Sequence, residues 1–416
     1  MSTPIFSCRI CNSNQLAPVF SLGEMAMTGI FPKYPDQPVS RGELALVKCD
    51  QTSNPDGCGL LQLAHNFDLT EMYGIHYGYR SGLNASMVNH LRAIVADITK
   101  RITLSSEDLV VDIGSNDGTL LSFYPEPVPV RVGIDPTGIK FSSYYPKDVQ
   151  LIPDFFRSES FRERFGNRKA KVVTSVAMFY DLPDPMGFMS EVKSCLSEDG
   201  LWLIEFGYMP RMLETLAYDA VCHEHLEYYG FSQIHWMCDR VGFRITDISF
   251  NDTNGGSIRL ILSPSPLAVE SEKVRQVLAD ENRAGLATMD PYFYFAQRII
   301  QHREEMRAFV SKIKREGKRV LGYGASTKGN VVLQYCNFTK EDIPSIADVN
   351  EDKYGRVTPG SLIPIISEKE AKALNPDYLL VLPWHFEKFI IQREVEFIKN
   401  GGRLLFPLPN IRIYPS

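Results

Sequence analysis

The densest chemistry in the chain lies in Cys222-His223-Glu224-His225-Leu226-Glu227, where two imidazoles and two carboxylates fall within six residues. An imidazole titrates near neutrality and serves as a base when a neighbouring carboxylate orients it. His223 and His225 stand at i and i+2, so they do not share a helix face as the ligands of H-E-x-x-H do. His225 is the candidate base, with Glu224 beside it and His223 as a candidate substrate contact. A metal site and a plain solvated turn both stay open on composition alone.

Cysteines form the second group. Cys8 and Cys11 have the usual two-residue spacing, and Cys49 and Cys58 make a second pair with a wider gap. Four thiolates suit a closed tetrahedral zinc site, which can hold together a module too small for its own core. No open coordination position is implied, so Zn2+ is expected to be structural. Four unrelated buried thiols are the alternative. The other cysteines show no such grouping.

A third group follows an apolar run at Val111-Asp112-Ile113-Gly114-Ser115-Asn116-Asp117-Gly118. An acid followed by a glycine turn lets the backbone fold tightly beneath an adenosyl-type cofactor, where a side chain would block the approach. Asp112, Gly114, Asn116 and Gly118 are the candidate contacts. Asp135, at the tip of the next apolar run, can accept hydrogen bonds from ribose hydroxyls. Tyr180 falls on the same carboxyl-end rim. A dinucleotide fingerprint would need glycine two positions beyond the first, and Asn116 stands there instead.

Near the other end, Gly322-Tyr323-Gly324-Ala325-Ser326-Thr327-Lys328 leaves an apolar run and could open a helix. Free N–H groups at a helix start, with Ser326, Thr327 and Lys328 nearby, make an anion site. Asn254-Gly255-Gly256-Ser257, followed by Arg259, reads equally as a ligand contact or as a hairpin turn.

These groups need a scaffold. Apolar runs at 109–113, 131–134, 171–176 and 201–205 alternate with amphipathic stretches, which predicts βαβ units around a parallel sheet. Val88, Leu91, Ile94, Val95 and Ile98 mark a helical face before them. A second alternation occupies the last hundred residues. The expected organisation of this α/β chain is a small module at 1–70, a cofactor domain at 71–270, a helical linker at 271–316 and a second Rossmann-like domain at 317–416. A length of 416 residues agrees with several domains. The formal net charge of −6 argues against a nucleic-acid partner. No apolar stretch is long enough to span a membrane, and the first residues lack the layout of a signal peptide. A cytoplasmic location is expected, while oligomeric state is not legible.

Together these segments resemble the nucleotide-sugar C-methyltransferase family, the 3-C-methyltransferases of branched deoxysugar biosynthesis. Gly59-Leu60-Leu61-Gln62-Leu63 and Tyr77-Gly78-Tyr79-Arg80-Ser81 join the motifs already named, and all run in the family's order across nearly the whole chain. The resemblance implies a zinc module, a central class I methyltransferase domain of Rossmann-like form that binds S-adenosyl-L-methionine, and a C-terminal Rossmann-like domain that holds a nucleotide-diphosphate ketosugar. It implies His225 as the base, Glu224 beside it and Tyr79 as an active-site phenol. It also implies that Asn254, Gly255, Arg259, Tyr323, Ser326, Thr327 and Lys328 belong with the substrate. Some relatives carry tyrosine where Cys222 stands, and a histidine near Tyr180. Methylation at sugar oxygen, and a zinc adaptor that binds cofactor without catalysis, are the competing readings; an NAD-linked oxidoreductase comes after them.

Overall fold

In the computed structural model, which describes residues 2–74, 77–126 and 129–415, Leu109–Ile113 is a strand buried along its whole length. A strand covered on both faces belongs inside a parallel sheet flanked by helices. Its neighbours Val130–Ile134 and Ala170–Val176 are both parallel to it. The sheet has seven strands, in the order Arg244–Asn251, Ser257–Ser263, Leu196–Gly207, Ala170–Val176, Leu109–Ile113, Val130–Ile134, Gln150–Ile152. Ser257–Ser263 runs antiparallel to both of its neighbours. That insertion separates the sheet from the dinucleotide-binding order.

Strand order reverses between Leu109–Ile113 and Ala170–Val176, and a doubly wound sheet opens its ligand crevice at the carboxyl ends there. The helix Ala85–Arg101 closes one face, placing Leu91, Ile94, Val95 and Ile98 in a core shared with Val110 and Leu203. Asn84 starts that helix by accepting from the Ser86 N–H at 2.9 Å, an N-cap that satisfies one orphan donor.

The last segment builds a second sheet of six strands, ordered Ile365–Ser367, Ile346–Asp348, Val320–Tyr323, Tyr378–Val381, Arg403–Phe406, Arg412–Tyr414. All pairs are parallel except the final one. Its own reversal lies between Val320–Tyr323 and Tyr378–Val381, which puts a second crevice beside Gly324 and Pro383. The helices Lys273–Arg283 and Asp290–Arg315 connect the two sheets in sequence.

The N-terminal sheet has four strands: Leu16–Ala26, Arg41–Cys49, Leu61–Leu63 and, from far along the chain, Glu227–Tyr228. Its apolar face does not form a separate core. Leu44 and Leu46 join Ile299 of the long helix and Leu321 of the second sheet in one continuous cluster. Among the described residues, no helix is long and apolar enough to cross a membrane.

Candidate active site

One cavity of about 1010 Å³ runs between the two crevices and is lined by residues of all three units. Such a volume reaches the upper end of small-molecule sites, room for two ligands meeting end to end. Asp112, Gly114, Asn116, Asp135 and Tyr180 line it at one end, with Tyr323, Ser326, Thr327 and Lys328 at the other. Tyr79, Glu224, His225 and Asn254 also face it.

At the first crevice the chain turns at Gly114 with φ +78°. A Cβ there would stand 2.9 Å from Met178 Cγ, so the turn needs glycine for space as well as conformation. The Asn116 N–H donates to Asp135 Oδ2 at 2.8 Å, and the Thr137 N–H donates to Asp135 Oδ1 at 2.7 Å. Asp135 Oδ1 accepts the Thr137 hydroxyl as well, at 2.5 Å, so the carboxylate is fixed at its strand tip with acceptor capacity left on Oδ2. Asn116 also accepts from the Ser81 N–H at 2.9 Å and donates through Nδ2 to the Tyr79 carbonyl at 3.2 Å. These bonds moor the Tyr79 segment over the turn. Asp112 accepts from the Thr174 hydroxyl at 2.5 Å, and burial pushes its carboxyl up to about 7. Gly118, with φ +75°, shapes the same turn from outside the cavity lining, where a Cβ would stand 2.7 Å from Tyr145 Cδ1. The turn, the anchored acid and the apolar walls at Ile113, Ile134 and Met178 fit an adenosyl group and its ribose.

The second crevice repeats the device. The Ala325 N–H donates to Asp348 Oδ2 at 2.7 Å, and the Asn350 N–H donates to Asp348 Oδ1 at 2.7 Å. Ser326 caps the helix Thr327–Tyr335, its hydroxyl accepting from the Gly329 N–H at 3.0 Å. Lys328 reaches the Asn254 carbonyl at 3.3 Å, which ties this helix start to the hairpin turn of the first sheet. The Tyr323 hydroxyl donates to Glu394 at 2.8 Å.

Between the crevices stand Glu224 and His225. The Nδ1–H of His225 donates to the Ala220 carbonyl at 2.8 Å, and the Tyr180 ring meets the imidazole edge-on with centroids 4.3 Å apart. Burial and the Lys328 charge push His225 down to about 3, which keeps it neutral. Glu224 is buried with Oε1 unpartnered, and desolvation pushes it up to about 7. Its carboxyl lies against Gly29, where a Cβ would displace Oε1.

Besides Gly118, three positions read from the sequence lie off the cavity lining. His223 is buried away from the cavity, its Nε2 on the Gly42 carbonyl at 3.3 Å and its ring against Phe67. Arg259 pairs with Glu205 at 2.7 Å across the antiparallel strands. Gly255 packs near Trp384 rather than on the cavity lining. Conversely, Tyr73 lines the cavity and donates to Asp181 at 2.6 Å, with Asp181 Oδ1 buried and unpartnered. Only the spacing of Tyr73, Tyr77 and Tyr79 hinted at this aromatic wall in sequence.

Outside the cavity, the Sγ atoms of Cys8, Cys11, Cys49 and Cys58 all lie within 4.8 Å of one another. Cys8 to Cys58 is 3.4 Å and Cys11 to Cys49 is 3.5 Å. Tetrahedral zinc with Zn–S bonds of about 2.3 Å separates its sulfurs by about 3.8 Å. The four thiols fit such an ion.

Known proteins bear on all three units. Residues 8–73 match the family described as "Putative zinc binding domain", 87–248 that described as "Methyltransferase domain", and 252–409 that described as "C-methyltransferase C-terminal domain". C-methyltransferase NovU of Streptomyces niveus is 32% identical, over 99% of this chain and 97% of its own. Among solved structures, magnesium protoporphyrin IX methyltransferase of Synechocystis PCC 6803 aligns at 14% identity and TM-score 0.33, over 43% of this chain and 79% of its own. An O-methyltransferase family protein of Burkholderia thailandensis aligns at 17% identity and TM-score 0.33, over 44% and 58%.

Proposed function

The chain belongs to the C-methyltransferase family, an S-adenosylmethionine-dependent enzyme with a zinc-binding module, and we propose that it methylates C3 of a nucleotide-linked 4-keto-deoxysugar. The observation that carries the reading is the position of His225 on one cavity joining two nucleotide-type crevices. A keto group acidifies the neighbouring C–H bond, because the conjugate base is an enolate. Gly114, Asn116 and Asp135 would hold S-adenosylmethionine, whose sulfonium would supply an electrophilic methyl group: the C3–CH3 bond would form from the enolate as the S–CH3 bond breaks and S-adenosylhomocysteine leaves as a neutral thioether.

His225 takes the C3 proton at Nε2. Its Nδ1–H remains on Ala220, so the imidazolium formed is held by a carbonyl that already faces it. Glu224, whose buried carboxyl is pushed up to about 7, stabilises that positive charge in its ionised form. Tyr79 and Lys328 are the candidate donors for oxygens that gain charge. The diphosphate of the sugar nucleotide sits at the start of the helix Thr327–Tyr335 with Ser326, Thr327 and Lys328. A dianion there offsets the Lys328 charge that depresses His225, so substrate binding raises the basicity of the imidazole. The base is thereby strengthened when its substrate is in place.

Oxygen methylation needs no ketone. The test is methyl transfer to a nucleotide-linked 4-keto-6-deoxysugar set against its 4-hydroxy counterpart. Transfer to the keto form alone supports the proposal, and equal or preferential transfer to the hydroxy form contradicts it.

A further inference from the structure

The four-stranded N-terminal sheet is completed by Glu227–Tyr228, the residues that directly follow the His225 segment. Glu227 pairs with Gln62 and Tyr228 with Leu61. Leu226, next to His225, is gripped on both sides: its N–H donates to the Tyr180 carbonyl at 2.8 Å, and its carbonyl accepts from the Leu63 N–H at 2.8 Å. The backbone that carries the imidazole is therefore an edge of the zinc module.

Arg9 locks that edge. It lies between Cys8 and Cys11, and its side chain is 3% exposed. Its guanidinium donates to the Leu63 carbonyl at 2.7 Å and the His65 carbonyl at 2.9 Å, and stands 3.5 Å from the Leu226 carbonyl. Nε approaches Glu227 Oε1 at 3.5 Å, and the Glu227 side chain is fully buried. A buried guanidinium cannot shed its proton, so it demands acceptors, and it finds them on Leu63, which holds Leu226, and on the neighbouring His65. Cys8 and Cys11 fix the arginine backbone at both sides, and a metal on those thiolates makes that fixation rigid.

We propose that Arg9 is a positioning residue for His225. The zinc knuckle orients the guanidinium, the guanidinium sets Leu226 and Glu227 against Leu63, and the imidazole next to them is aimed at the reacting carbon. The zinc module then has a task in turnover besides holding its own fold. The proposal rests on His225 as the base.

The test uses the full chain loaded with zinc and labelled with 15N-histidine, the His225 signal being identified by its loss in His225→Gln. Arg9→Met leaves Glu227 buried without its partner, so Arg9→Met/Glu227→Gln, which removes both charges, accompanies it, with Arg9→Lys as the conservative change. Expected is a double variant with wild-type zinc content and cofactor affinity, a displaced His225 ring signal, kcat lower by about 10²-fold and KM little changed. Arg9→Lys recovers part of kcat. A folded, zinc-loaded double variant whose His225 signal and kcat equal those of wild type overturns the proposal. A displaced signal with undiminished kcat instead overturns the assignment of His225 as base, leaving the positioning intact.

Discussion

The Nδ1 of His225 lies 2.8 Å from the carbonyl oxygen of Ala220. A carbonyl only accepts, so the proton resides on Nδ1 and Nε2 is bare. Lys328 shares the cavity and is the second cause, after burial, of the low His225 pKa of about 3. Removing that charge in Lys328→Met must raise the pKa. Histidine NMR titration of the ligand-free variant should show His225 titrating at higher pH than in wild type; an unmoved or lower midpoint would contradict the coupling.

Glu224 gives a pH signature in stability. Burial raises its carboxyl from 4.5 to about 7 in the folded chain. Between those values the folded state holds a proton that the unfolded state has lost, so wild-type stability falls as pH rises through the window. At about 1.4 kcal/mol per pH unit, ionised Glu224 costs about 3 kcal/mol above pH 7. Glu224→Gln has no such dependence. Its melting temperature relative to wild type should rise between pH 5 and pH 8, and a constant or falling difference would sink the assignment.

Gly114 tests the cofactor crevice. Alanine there meets Met178 Cγ at 2.9 Å and takes φ +78° against its preference. The left-handed conformation alone costs about 1–2 kcal/mol, and relief of the contact moves the turn that carries Asn116. S-adenosylmethionine affinity by calorimetry should fall about tenfold or more in Gly114→Ala, while zinc content is unchanged. Wild-type affinity would remove the turn from the cofactor site.

The metal prediction is separable from both. Cys11→Ser breaks the thiolate set, so zinc measured by elemental analysis should be lost together with several degrees of melting temperature. Retention of full zinc and stability would mean that the four sulfurs are ordinary buried thiols.

Much of this site was legible in the sequence because local pattern dictates it. The apolar run at 109–113, then Gly114 and later Asp135, describes a strand, a turn and a strand tip whose relation is set within one βαβ unit. The same holds for Val320–Tyr323, Ser326 and Asp348 in the second sheet. Long-range pairing decides what was not legible. Arg259 stands directly opposite Glu205 in an antiparallel register, so the two side chains share a face and satisfy each other. His223 precedes a strand that joins the N-terminal sheet, which turns its ring toward Gly42 and Phe67. No periodicity in residues 222–229 announces that the partner is Leu61–Gln62. The bond between Tyr73 and Asp181 likewise joins residues 108 positions apart, which only the assembled core brings together.

The central claim is that His225 removes the proton that the methyl group replaces. The most direct measurement incubates a nucleotide-linked 4-keto-6-deoxysugar in deuterated water, with and without S-adenosylmethionine, and follows C3 deuteration and methylation by NMR for wild type and His225→Ala. The account predicts that wild type methylates C3 and, without S-adenosylmethionine, exchanges the C3 proton for deuterium, while His225→Ala loses both exchange and methylation and keeps its cofactor affinity. A variant that still exchanges the C3 proton but does not methylate would place the base elsewhere and contradict it.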